Sequence, residues 1–320
     1  MTRPRRTCGA ASFPGPDARG PKTGDVRIVS LLPAATEIVF ALGIGDELAG
    51  VTDACTFPFE ARGLPIVART TADPRDADAS TPHLVLDELA LVAAEPDLVI
   101  TGGAPGPWSV GYREASEAVA RLGLTAEIIR LDPTSIEGVL NAIQAVGAMT
   151  EEEDEAMDIA LGLRERLRAL EKIVLGRRVH GFEPPRVIVL EGLEPPVAVG
   201  RWVPEQVRLA GGWELLGHEG EAPGPTTWDA VREMEPEVLV LALRGLDLAA
   251  ASEAWARSLR PAGWETVPAV AAGRVFVVDG PACFDHPGPR VIDGIEVLAE
   301  LIDPAAFDGM APPDTWARSA

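Results

Sequence analysis

One stretch near the middle of the chain, Thr150 to Gly176, limits the folds that the chain can adopt. It reads TEEEDEAMDIALGLRERLRALEKIVLG, in which apolar residues recur at steps of three and four: Ile159, Leu163, Leu167, Leu170 and Val174. This spacing predicts one long helix with a single apolar stripe. Thr150 and Glu153 match a capping box, and Gly176 can end the helix in the left-handed conformation. At about 1.5 Å per residue such a helix spans roughly 39 Å, which is long enough to join two domains.

Strand and helix patterns alternate on both sides of this helix. The clearest buried-strand patterns are VRIVSLL, DLVIT, RVIVL and RVFVV. Alternation of this kind predicts parallel sheets with helices on both faces. A Glu-Pro corner between a helix and a buried strand occurs at Pro96 and again at Pro236, 140 positions later (236 minus 96). We therefore predict an α/β protein of two Rossmann-like lobes with parallel sheets, joined by a single long helix.

The predicted domains follow from these patterns. They are a disordered leader over 1–25, an N-terminal lobe over 26–149, a connecting helix over 150–178, a C-terminal lobe over 179–304 and a loose tail over 305–320. The leader is basic but lacks the apolar run of a secretory signal, and no later segment has the roughly 18 uninterrupted apolar residues of a membrane span. The expected location is therefore the cytoplasm, and the periplasm or cell exterior only if the start is misassigned.

Charge and cysteine content exclude several classes of partner and site. The formal net charge of −21 disfavours binding to nucleic acid or to an anionic membrane surface. Three cysteines, Cys8, Cys55 and Cys283, are too few and too scattered for a disulfide framework or a CxxC metal site. The sequence shows no paired nucleophile and base, no phosphate loop and no dinucleotide fingerprint, so we predict a protein without catalytic activity.

Candidate ligand-binding loops can be selected from topology alone, because ligands of open parallel sheets bind beyond the carboxyl ends of the strands. The rule selects residues 33–36, 53–59, 102–108, 191–202, 244–247 and 279–289. Trp108 and Trp202 lie in these loops, and Trp228 precedes a helix. An indole at such a junction can stack on a flat ligand, or it can simply cover the core. For Trp202 we expect an exposed indole whose removal weakens ligand binding at little cost in stability; the alternative is a core-covering indole with the opposite effects.

A metal site is the competing interpretation of the same loops. Potential oxygen, sulfur and nitrogen donors are present in them: Asp53, Cys55, Glu191, Cys283, Asp285 and His286. No two of these residues have a diagnostic ligand spacing, so no directly bound metal is predicted. His286 either contacts ligand or has a structural role in its loop.

Four segments together resemble a known family. They are RIVSLLPAATEIVFALGIGDELAGVT, PDLVI, RVIVLEGLEPPVAVGRWVPEQVRLAGG and AGRVFVVDGPACFDHPGPRVIDGIEVLAE. In this order, from about Val26 to Pro304, they resemble the cobalamin-binding, Fe/cobalamin-type substrate-binding proteins of ABC importers. The resemblance implies the helical-backbone, class III architecture, in which two lobes joined by one helix hold a ligand between them.

The resemblance also implies roles for individual residues. It places ligand contacts at Asp53, Cys55, Phe57, Trp202, Trp228 and Phe284, to which the selected loops add Trp108, Glu191 and His286. It places acidic residues that would dock onto permease arginines at Glu88 and Asp229. The expected ligand is cobalamin, a related corrinoid or another metal chelate, bound by a monomer with an ABC permease left open as its partner. The alternatives are a chelatase-like or corrinoid-modifying enzyme, and a fold retained for protein interaction.

Overall fold

The computed structural model describes residues 26–71, 84–106 and 108–319; the predicted leader lies outside them. These residues form two compact units. Of the described residues, the N-terminal unit contains 26–71, 84–106, 108–133 and 137–161, and the C-terminal unit contains 134–136 and 162–319. Each unit has its own sheet and its own hydrophobic core.

The N-terminal unit is built on short strands, of which the central ones are buried on both faces. Its strands are β1 Ile28–Ser30, β2 Leu48–Thr52, β3 Ile66–Thr70, β4 Leu84–Leu86, β5 Leu98–Gly102 and β6 Glu127–Leu131. Its helices are α1 Pro33–Ala41, α2 Glu88–Ala94, α3 Tyr112–Arg121 and α4 Ile136–Met149. Within the described residues the strand order is β4-β3-β2-β1-β5-β6, with β4 antiparallel to β3 and the other neighbours parallel. Val29, Leu31 and Val99 are fully buried, as expected for apolar strands between two layers of helices.

The long central helix is α5, Glu153–Val179. Its start differs from the predicted capping box, because the Thr150 hydroxyl donates to the carbonyl oxygen of Val146 (3.0 Å) at the end of α4. The predicted stop at Gly176 is also wrong, since Gly176 lies inside the helix. Gly181, with φ of 87°, follows the helix, and the Phe182 amide donates to the Arg177 carbonyl (3.0 Å). This is the bond that a left-handed glycine makes available at a helix end.

The interior glycine of α5, Gly162, offers a stabilising substitution. It is exposed, and a Cβ atom built on it would meet no other atom within 4 Å. Gly162→Ala should therefore raise the free energy of unfolding by about 0.5 to 1 kcal/mol, because alanine loses less backbone entropy in a helix. Urea titration measures the change. The matched control is Gly147→Ala in α4, where the added Cβ would lie 2.4 Å from that of Ala156, so this variant should be destabilised. A lower stability for Gly162→Ala would contradict the prediction.

The C-terminal unit repeats the parallel core with antiparallel additions. Its strands are β7 Arg186–Leu193, β8 Pro196–Ala198, β9 Trp213–Glu214, β10 Gly224–Pro225, β11 Val238–Leu241, β12 Val275–Val278 and β13 Trp316–Arg318. Its further helices are α6 Val203–Leu209, α7 Trp228–Glu233, α8 Leu248–Arg257, α9 Pro268–Ala271, α10 Gly280–Cys283, α11 Val291–Ile302 and α12 Pro304–Phe307. The order is β10-β8-β7-β11-β12-β13, with β9 beside β7. Strands β7, β11 and β12 are parallel, whereas β8, β10 and β13 run antiparallel to their neighbours, so the sheets are mixed rather than purely parallel.

The segment after residue 304 corrects the prediction of a loose tail. Strand β13 pairs with β12, with Arg318 opposite Phe276. The Trp316 ring meets the Phe276 ring edge-on at a centroid distance of 5.6 Å, and Phe307 is buried. Sequence reasoning missed this strand because isolated aromatic residues carry no periodic signal, whereas pairing with a sheet edge satisfies both backbone and side chains.

Candidate functional site

The carboxyl ends of the parallel strands identify one candidate surface in each unit. In the N-terminal unit the strand order reverses between β1 and β5, which is the topological switch point where ligands of open sheets bind. We call the described residues after β2 and β5, 53–63, 103–106 and 108–112, the first edge. In the C-terminal unit the parallel register of β7, β11 and β12 ends at Leu190, Leu241 and Val277. We call Glu191, residues 242–247 and residues 279–290 the second edge.

Exposed aromatic side chains distinguish the first edge. Phe59 begins a 3₁₀ turn, Phe59–Gly63, and its side chain is 76% exposed. The Arg62 guanidinium lies over the Phe59 ring at 5.4 Å from the centroid, while its Nε donates to the Thr56 carbonyl (3.1 Å). Tyr112, at the start of α3, is also exposed. Sequence reasoning chose Phe57, which is half-buried, and missed Phe59 two positions later, although both lie in the same selected loop.

Two predicted contacts of the first edge have structural partners of their own. The Asp53 carboxylate accepts bonds from the Thr70 amide (2.9 and 3.0 Å) and from the Thr70 hydroxyl (2.8 Å), which ties the β2 loop to the end of β3. The Cys55 sulfur is buried 3.0 Å from the Thr36 hydroxyl and 3.3 Å from that of Thr52. Burial raises the pKa of the Cys55 thiol. The sulfur is therefore a protonated group that is enclosed by hydroxyls. Trp108, in the loop after β5, is half-buried.

Charged side chains distinguish the second edge. Arg244, just after β11, forms an ion pair with Glu191 through Nη2 and Oε1, and its amide donates to the Glu191 carbonyl (3.0 Å). The neighbouring Gly245 amide donates to Asp285 Oδ2 (2.8 Å). Burial raises the pKa of Asp285 to about 7, although Arg244 opposes the shift. Burial, with a contribution from Arg290, lowers the pKa of His286 to about 3, so its imidazole is neutral at physiological pH. Sequence reasoning placed Arg244 in a selected loop but did not single it out.

The three remaining predicted contacts are buried or half-buried. Trp202 is only 5% exposed, so the predicted exposed indole is wrong; the residue directly precedes α6. Phe284 is buried as well. Trp228 is half-buried and packs against Trp264 and Trp255 at centroid distances of 5.7 and 6.4 Å. Whether any of the nine predicted residues contacts ligand stays a prediction.

Other predicted features can be located in the structure. The described residues contain no group of three or more His, Cys, Asp or Glu side chains that could hold a metal ion. Nor does any helix in that part of the chain have the length and apolar content to cross a membrane. Of the two predicted docking residues, Glu88 is partly exposed and forms an ion pair with Arg121. Asp229 is largely exposed, and its Oδ1 lies 3.0 Å from Arg232 Nη2.

Comparison with known proteins decides the family. Residues 28–282 match the model of a family described as periplasmic binding protein. The chain belongs to this family. It is 25% identical over 287 residues to the ABC transporter substrate-binding lipoprotein YvrC of Bacillus subtilis strain 168, covering 88% of this chain and 81% of the relative. It is also 25% identical over 280 residues to a vitamin B12-binding protein of Vibrio cholerae, covering 86% and 88%.

Solved structures share the fold of this periplasmic binding protein. A periplasmic heme-binding protein from Pseudomonas aeruginosa matches with a TM-score of 0.70 at 23% identity, covering 92% of this chain and 98% of that one. The periplasmic vitamin B12-binding protein BtuF of Vibrio cholerae matches with a TM-score of 0.66 at 22% identity, covering 87% and 97%. These structures confirm the predicted two-lobe, class III α/β fold, and the family model confirms the predicted family.

Family membership also decides the class of function. The relatives are substrate-binding proteins of ABC importers, which are not catalytic, so the prediction of a protein without enzymatic activity is confirmed. This chain is a substrate-binding component of an ABC importer. The expectation of a cytoplasmic protein is wrong, because the chain belongs to a family of periplasmic binding proteins and one of its relatives is a substrate-binding lipoprotein of an ABC transporter. That expectation rested on residues 1–25, which lie outside the described residues.

Proposed function

We propose that this protein binds a corrinoid such as cobalamin, as a monomer, and delivers it to an ABC permease. The observation that carries the proposal is the aromatic surface of the first edge, where Phe59 is 76% exposed. A phenyl ring is costly to leave in water and gains about 0.5 to 1.5 kcal/mol from stacking beyond the area that it buries. A flat, largely apolar macrocycle is the kind of ligand that would use it.

The second edge supports a ligand with a polar rim. Glu191, Arg244 and Asp285 present donors and acceptors there, next to the neutral imidazole of His286. The rim of a corrinoid carries polar amides, which suit hydrogen-bonding groups of this kind. The vitamin B12-binding relatives from Vibrio cholerae point to the same ligand class. The docking of Glu88 and Asp229 onto permease arginines stays a prediction; each carboxylate already has an arginine of this chain beside it.

Calorimetric titration with cyanocobalamin tests the proposal. We expect one molecule to bind per chain with a Kd at or below about 1 μM, a value that corresponds to roughly −8 kcal/mol. Phe59→Ala should weaken binding by about 1 to 3 kcal/mol through lost apolar burial and stacking, with an unchanged melting temperature because the ring is exposed.

The matched control is Leu259→Ala, which removes an 85% exposed apolar side chain of the C-terminal unit outside both edges. This variant should bind cyanocobalamin as the unmodified chain does. If the unmodified protein binds neither cyanocobalamin nor cobinamide, the corrinoid proposal fails. If it binds them and Phe59→Ala has no effect, the first edge is not the binding surface.

A further inference from the structure

The ion pair between Glu191 and Arg244 bears on which chelate the second edge accepts. We propose that Glu191 is a specificity-determining residue: by neutralising Arg244 it makes this edge select a corrinoid whose rim carries neutral amides and reject one whose rim carries carboxylates. The inference rests on the proposed function, because it concerns which corrinoids the protein binds.

The geometry holds the two charges together. Glu191 extends β7 past its parallel pairing with β11, and Arg244 follows β11, so the two residues leave neighbouring strands side by side. The backbone bond from the Arg244 amide to the Glu191 carbonyl (3.0 Å) fixes that alignment, and Arg244 Nη2 contacts Glu191 Oε1. The Glu191 side chain is 14% exposed and that of Arg244 is 29% exposed. The carboxylate is therefore the deeper partner, and the guanidinium lies nearer to solvent.

A second acid reinforces the neutralisation. Asp285 accepts from the amide of Gly245, the residue after Arg244, and its negative charge favours the charged form of the guanidinium, whereas burial lowers the pKa of Arg244. Two carboxyl groups thus lie around one arginine, and the local charge is not positive. An arginine without such partners binds carboxylates readily through its planar fork of N–H donors.

These charges have different effects on the binding of a carboxylate rim and of an amide rim. A ligand carboxylate would have to displace Glu191, leaving a partly buried carboxylate unpaired, and would be repelled by its charge. A primary amide faces neither penalty. Its N–H groups can donate to Glu191 or Asp285, and its carbonyl can accept from the guanidinium N–H groups that Glu191 does not use. The ion pair therefore weakens the binding of a carboxylate-bearing corrinoid rather than strengthening the binding of an amide-bearing one.

The test uses two corrinoids that share one ring and differ only in the groups at its rim. Dicyanocobyrinic acid heptaamide carries primary amides, and dicyanocobyrinic acid carries carboxylates at the same positions. We expect the unmodified protein to prefer the amide form by at least about tenfold, since like-charge repulsion and an unpaired buried charge each disfavour the acid. Glu191→Gln keeps the size of the side chain and its hydrogen-bond acceptor but removes the charge, so it should reduce this preference at least about fivefold.

Glu194→Gln is the matched control. Glu194 lies three residues after Glu191, in the turn between β7 and β8, is exposed and carries the same charge, so its substitution changes the net charge of the chain equally. It should leave the preference unaltered. The single variant Glu191→Gln leaves the Arg244 charge without its partner and should therefore increase the affinity for cobyrinic acid. In the double variant Glu191→Gln, Arg244→Gln that positive charge is also removed, so the increase should disappear.

The possible outcomes separate this inference from the proposed function. If the unmodified protein binds neither corrinoid, the proposed function fails. If it binds both equally, or if Glu191→Gln and Glu194→Gln shift the preference by the same factor, the role of Glu191 is overturned while corrinoid binding stands. The comparison of the two ligands on the unmodified protein remains decisive against the inference even if Glu191→Gln does not fold.

Discussion

Replacing Arg166 by methionine is expected to lower the free energy of unfolding by about 3 to 5 kcal/mol, because it leaves two enclosed carboxylates without their cation. Arg166 lies on α5, and its Nη2 is 2.6 Å from Asp293 Oδ1 and 2.7 Å from Glu296 Oε2 on α11. Its Nε donates to Glu296 Oε1 (3.0 Å). Burial lowers the pKa of Arg166, but the two acids more than compensate and raise it above its ordinary value. The Glu296 side chain is 8% exposed, so water cannot replace the lost partner.

Urea titration of the purified variant measures this loss. Arg168→Met is the matched control, since Arg168 lies on the same helix and is exposed; it should change stability by no more than about 0.5 kcal/mol. Adding Asp293→Asn and Glu296→Gln to Arg166→Met removes the stranded charges and should recover much of the loss. A loss below about 1 kcal/mol for Arg166→Met alone would show that the ion pairs contribute little to holding α5 against α11.

Replacing Trp202 by alanine is expected to cost about 3 to 5 kcal/mol of unfolding free energy, the usual effect of truncating a buried tryptophan. The side chain is 5% exposed, and within the described part of the chain its indole Nε1 has no hydrogen-bond partner. The stabilisation therefore comes from apolar packing rather than from a polar contact.

Thermal melts and cyanocobalamin titration of the same variant separate packing from ligand contact. Trp202→Phe should cost much less than alanine, because it keeps a ring in the space and removes the unpaired N–H group. Any Trp202→Ala protein that still folds should bind cyanocobalamin with nearly unchanged affinity. A large loss of affinity with an unchanged melting temperature would instead support the exposed indole that sequence reasoning expected.

The difference between Trp202 and Phe59 shows where sequence reasoning about a site reached its limit. Both aromatics stand in loops that the carboxyl-end rule selects, and the rule depends only on strand order. Which ring faces solvent depends on what packs around each loop. Trp202 is enclosed and Phe59 is open, yet their sequence neighbourhoods, each with a proline close by, do not distinguish them.

Helix ends and edge strands show the same limit within the fold. Thr150 and Glu153 satisfy a capping pattern, but the Thr150 hydroxyl binds the helix before it. Strand β13 has no periodic apolar run and forms because β12 offers an open edge. A local pattern indicates which secondary structure a segment can form. Which other segment it then pairs or packs with depends on residues far away in the chain.

The sequence by itself determined the features that depend on local periodicity and order. The alternation of apolar strands with amphipathic helices, the long helix near residues 153–179 and the order of the family's segments all belong to single stretches of chain, so they could be predicted before any contact was known. The tertiary structure alone decided the contacts between distant residues. Glu191 and Arg244 are 53 positions apart (244 minus 191), and Arg166 and Glu296 are 130 apart. Such pairs form because folding brings strand ends and helix faces together, and no local pattern encodes which charges will then be neighbours.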